Sequence, residues 1–130
     1  MAMTRRVSLF EREVSLRLAP LAIELIHGNA RVLTEGGLAG NIYTGSTMLT
    51  VDLERAQDRI SDPPDASTAL RVAVLYASDE RCRTEAKRFA FAEARKRAGC
   101  NLSTPLVDIE SRARGTEVHL SLEVEARRTP

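Results

Sequence analysis

RVAVLYASDERCRTEAKRFAFAEARKRAG, residues 71–99, is the stretch whose reading decides the fold. Its second part predicts a helix over 79–98. Ser78 and Asp79 supply caps, acids occupy the first turn, Arg95, Lys96 and Arg97 occupy the last, and Gly99 provides a left-handed stop. Its first part, RVAVLYA over 71–77, is apolar on both alternating faces and predicts a central strand covered on both sides.

C-terminal to this helix, VDIE after Pro105 predicts a strand. Arg114-Gly115 then turns the chain into VHLSLEVEA, residues 118–126. Val118, Leu120, Leu122 and Val124 share one face of that strand, and His119, Ser121, Glu123 and Glu125 share the other. The pattern is that of an antiparallel strand with one buried face and one wet, acidic face.

N-terminal to it, SDPPDAST, residues 61–68, breaks the chain, because Pro63 and Pro64 cannot continue a helix. Residues 30–51 are rich in β and turn signals. Thr47, Leu49 and Val51 alternate, Gly45 sits where a hairpin between 41–44 and 47–51 would turn, and Asp52 is placed to cap a short helix carrying Leu53, Ala56 and Ile60. Phe10, Val14, Leu18, Leu21 and Leu25 recur at helical spacing, with Ser8 and Glu11 spaced as a capping box and Gly28 as a stop. Pro20 predicts a kink or break, so the helix is expected through residue 19, and 21–27 reads as helix or strand.

The order is then an N-terminal helix, a β-hairpin region, a short helix and β-α-β-β. This predicts one α+β domain over residues 1–130, with helices packed on one face of a mostly antiparallel sheet. At 43% hydrophobic and 28% charged residues the chain has enough apolar surface for one core. No apolar run approaches a membrane span or a secretory leader, and Cys82 and Cys100 have no C-x-x-C spacing. These features predict a cytoplasmic protein with reduced thiols and no membrane association.

Nineteen basic residues against 18 acidic ones exclude long-range steering toward nucleic acid. All but Lys87 and Lys96 of the basic residues are arginine, a bias that GC-rich codon usage produces without any functional demand. Arg81, Arg88 and Arg95 lie seven apart on one helix face, where three guanidinium groups in line suit an acidic partner or a phosphate backbone. No aromatic residue joins that stripe to stack on a base. Cys82, Ala86, Ala90, Ala94 and Ala98 form a row of small residues opposite it, suited to close packing on a sheet or a second subunit. Phe89 and Phe91 point nearly opposite ways, so one of them is expected to face something other than the sheet.

If 118–126 lies at a sheet edge, then Glu117, His119, Glu123 and Glu125 mark an interface where an identical strand pairs. GGLAG, residues 36–40, has the glycine content of an anion-binding nest but lacks the following G-K-[ST], so it reads as a loop. His27 and His119 belong to no metal or hydrolase motif, and no cofactor is expected.

Packing and pairing surfaces thus outnumber catalytic groups. The sequence predicts a non-enzymatic module that works by self-association, as a homo-oligomer, or by docking a protein partner. Phosphate or nucleic-acid binding through the arginine stripe is the first alternative. A small oligomeric enzyme with an interface site built on His27 or His119 is the second.

Overall fold

A computed structural model describes residues 9–28, 30–56, 64–103 and 105–129, with side chains from residue 18 onward. Three helices, α1 (Leu9–Gly28), α2 (Ala66–Ser78) and α3 (Glu80–Ala98), accompany four strands: β1 (Ala30–Ala39), β2 (Ile42–Asp52), β3 (Leu106–Arg114) and β4 (Glu117–Arg127). The strands form one antiparallel sheet in the order β1-β2-β4-β3. α2 lies over β3 and β4, α3 lies over β1, β2 and β4, and α1 packs against both helices. The α+β class and the helices on one face of an antiparallel sheet agree with the pattern in the sequence.

The largest departure is at 71–77, which is the body of α2 and not a strand. Its buried residues, Thr68, Ala69, Val72, Ala73, Leu75 and Tyr76, recur at helical spacing. The segment looks strand-like because α2 is covered twice: β3 lies below it, where the Ser111 hydroxyl donates to the carbonyl of Ala73, and α1 lies beside it, where Tyr76 donates to the carbonyl of Ala22. The helix begins inside the expected break. Asp65 is its N-cap, accepting from the Thr68 N–H at 2.9 Å.

α3 matches its sequence signals. Asp79 caps it by accepting from the Cys82 N–H at 3.1 Å, and Gly99 ends it in the left-handed region at φ 68°. Ser78 closes α2 instead, its hydroxyl donating to the carbonyl of Val74. Cys82, Ala86, Ala90 and Ala94 are buried, Cys82 against α1, where its thiol lies 3.8 Å from the Ala19 carbonyl oxygen, so the small-residue row serves intramolecular packing.

α1 continues through Pro20 to Gly28, which removes the strand alternative for 21–27. The proline is exposed, while Ala19, Ala22, Leu25 and Ile26 around it are buried. Their burial outweighs the one hydrogen bond a proline deletes. The Ser8–Glu11 capping box and the side chains of Phe10 and Val14 lie outside the described residues.

The hairpin also differs from expectation. β1 and β2 pair along their whole length and turn at Gly40-Asn41, so most of GGLAG is strand and not the expected loop, and Gly45 is inside β2. Gly45 pairs with Gly36, and the phenol of Tyr43 lies close against both, filling space that two side chains would otherwise occupy. After β2, Asp52 accepts from the Glu54 N–H at 3.0 Å and a turn over 53–56 follows. The expected Ile60 lies outside the described residues.

β4 is not an edge strand. It pairs with β2 on one side and β3 on the other, so its backbone groups are already used, and the edges are β1 and β3.

Candidate functional site

Strand alternation splits the sheet into two surfaces. The even residues of β4, Val118, Leu120, Leu122, Val124 and Ala126, are buried under the helices together with Tyr43, Thr47, Leu49 and Val51 of β2. The odd residues of β4 point to the other face, which no described helix covers. Glu117, His119, Glu123 and Glu125 therefore do share one surface, but it is the middle of a sheet face and not its rim.

The strand register assembles that face in rows. Glu35, Ser46, Glu123 and Asp108 form one row across β1, β2, β4 and β3. The next row is Leu33, Met48, Ser121 and Glu110, and the one after it is Arg31, Thr50, His119 and Arg112. An acidic row and a basic row thus flank a row whose β1 and β2 members are apolar. Leu33 is 57% and Met48 46% exposed, and Leu106, one row beyond the acids, is 76% exposed.

Charge is segregated unfavourably within the sheet. Asp108 stands directly opposite Glu123, and like charges in cross-strand positions destabilise the pair. Arg112 stands opposite His119. Among the described residues no ion pair relieves Asp108, Glu110, Arg112, Arg114, Glu123 or Glu125. The basic row has one local partner, Glu117, which lies 3.3 Å from Arg31 Nη2 and 3.9 Å from His119 Nε2. His119 Nε2 is itself buried without a hydrogen-bond partner.

The arginine stripe occupies the helix side of the molecule, and each member has a neighbour. Arg81 is 3.8 Å from Asp79, Arg88 donates to Glu85 at 3.1 Å, and the Arg95 guanidinium lies 4.8 Å from the centre of the Phe91 ring. That last contact also gives Phe91 a neighbour within the chain. Phe89 is half-buried, 6.4 Å from the His27 ring, and His27 Nε2 is 3.3 Å from Glu85. The two histidines lie on opposite sides of the sheet, so they do not converge on one site. Among the described residues no cluster of three or more His, Cys, Asp or Glu is arranged to hold a metal.

The one strongly perturbed thiol is Cys82. Burial pushes it up to about 12, and the Asp79 carboxylate beside it adds to the shift. A thiol so held is protonated at neutral pH and a poor nucleophile. Among the described residues no helix is long and apolar enough to cross a membrane.

No protein-family model, curated protein or solved structure matches the chain.

The row structure of the face was absent from the sequence reading because it requires the strand order. β3 and β1, distant in sequence from each other, contribute Asp108, Arg112, Glu35 and Arg31. The signal that was available is the i, i+4 reversal of charge within each strand: Glu35 against Arg31, and Asp108 against Arg112.

Proposed function

We propose that this protein is a non-enzymatic association module that binds a second copy of itself through the helix-free face of its sheet. The observation that carries the reading is the row of Leu33 and Met48, exposed side by side between rows of opposite charge. Exposed apolar side chains at the centre of a patch, ringed by charge, have the anatomy of a protein interface.

The area is adequate. Four strands at ~4.8 Å spacing and ~3.3 Å per residue make a face of roughly 19 by 30 Å, so two such faces in contact bury on the order of 1,200 Å², the lower end for a specific interface. The arginine stripe is a weaker basis for a nucleic-acid reading, because Asp79, Glu85 and Phe91 already engage its members.

Light scattering across micromolar concentrations tests the proposal. A mass that rises from 14 kDa toward twice that value, and that Met48→Glu returns to the monomer, supports it. A strict monomer at every concentration overturns it, as does an oligomer that Met48→Glu leaves intact and Leu70→Glu, on the exposed side of α2, dissolves.

A further inference from the structure

We infer that the two copies meet in one register, about a two-fold axis that crosses the strands at the Leu33–Met48–Ser121 row, so that the acidic row of each sheet covers the basic row of the other. The inference rests on the self-association proposed above and adds its geometry and its charge code.

The register alone leads to this axis. Two sheets stack face to face with strand directions within about 30°, and a two-fold axis between them runs along the strands or across them. An axis along the strands lays each row on its own copy, acid on acid and base on base. An axis across the strands reverses the row order and leaves each strand over its own copy.

Centred on Met48, the second arrangement brings Glu35 over Arg31, Glu123 over His119 and Asp108 over Arg112 of the second copy. Each pairing occurs twice, because an isologous contact is reciprocal. Leu33 and Met48 then meet their own copies at the centre. Two like-charge contacts remain: Glu110 meets its own copy at the β3 rim, and Glu125 comes over Glu117 of the second copy in the outermost rows, where Glu117 is already paired with Arg31 of its own chain; water and salt screen both.

This placement accounts for what is unfavourable in one chain alone. Asp108 and Glu123 repel across strands, and Asp108 and Arg112 have no ion-pair partner among the described residues. In the two-fold pair the same residues find opposite charge. Rows that cost stability within a sheet select the partner and fix the register between sheets.

Charge reversal on β3 separates this register from any other mode of association. Asp108→Arg places arginine over Arg112 of the second copy, and Arg112→Asp places aspartate over Asp108, so each variant alone should dimerise at least tenfold more weakly than the parent. An equimolar mixture should recover the dimer, because both contacts between positions 108 and 112 in the heterodimer then join opposite charges. The double variant carrying both changes should recover it as well. Both positions are exposed, and circular dichroism of each variant checks that it is folded.

Recovery on mixing, measured by sedimentation velocity at low salt, supports the register. Single variants that dimerise like the parent, or a mixture no stronger than its components, overturn it. A parent dimer that ignores both reversals yet is lost in Met48→Glu refutes the register while leaving association through this face in place. A parent that never dimerises removes both.

Discussion

Tyr43 occupies the space that a side chain at Gly45 needs: a Cβ added there would stand 2.6 Å from the Tyr43 hydroxyl and 2.5 Å from the Glu35 carbonyl oxygen. Backbone cannot yield as a flexible side chain would. Gly45→Ala should therefore cost about 1–3 kcal/mol, the usual penalty for overpacking. Gly37, in β1 and with nothing within 4 Å of an added Cβ, is the control, and Gly37→Ala should be neutral or stabilising by about 0.5 kcal/mol. Urea unfolding of the two variants gives both values.

The row of small residues on α3 sets how closely the helix approaches the sheet. Ala90 is fully buried. Ala90→Leu should cost about 1–3 kcal/mol, whereas Arg88→Ala on the exposed side should change stability by less than about 0.5 kcal/mol. Thermal unfolding at matched pH compares them.

The caps of α2 and α3 are testable separately. Asp79→Ala removes the acceptor of the Cys82 N–H and should cost about 1 kcal/mol. Asp65 is held below the usual carboxylate range, first by the Thr68 N–H that it accepts. A carboxyl lowered on folding contributes stability above its unfolded value and loses it as pH falls through its folded value. Acid titration of the unfolding midpoint should thus show a loss on the acid side of the usual carboxylate range that Asp65→Asn diminishes.

Cys82 gives the opposite sign. Its thiol is pushed from 9 up to about 12, so the unfolded chain releases the proton first and stability falls as pH rises between those values. Cys82→Ala should flatten the part of that fall between pH 9 and 10, below the range where the buried tyrosines add to it. At neutral pH a thiol reagent should modify half-buried Cys100 and spare Cys82. Rapid labelling of both would contradict the packing described for α3.

What was legible in the sequence followed from local chemistry. Asp79 and Gly99 bracket α3 because caps act within one turn, and the alternation of Val118 to Val124 marks a strand with one buried face. The reading failed where a residue's environment comes from distant segments. Val72 to Tyr76 looked like a strand because sheet and α1 bury the helix from two sides, which erases the polar stripe that normally identifies one. Gly45 looked like a turn because its partner, the Tyr43 ring lying over it and Gly36, is set by pairing between strands. Glu123 and His119 were identified as members of one exposed row, but their relation to Asp108 and Arg112 depends on β4 being central, and strand order is not written in local pattern.

The most direct test of the central claim places one cysteine at the proposed axis. In a Cys100→Ser background, Met48→Cys should be joined to its own copy in high yield by a bismaleimide spanning about 10 Å, the separation of stacked sheets. Leu70→Cys, exposed on α2, should remain monomeric under the same conditions. Covalent dimer from Leu70→Cys and none from Met48→Cys would contradict association through the sheet face.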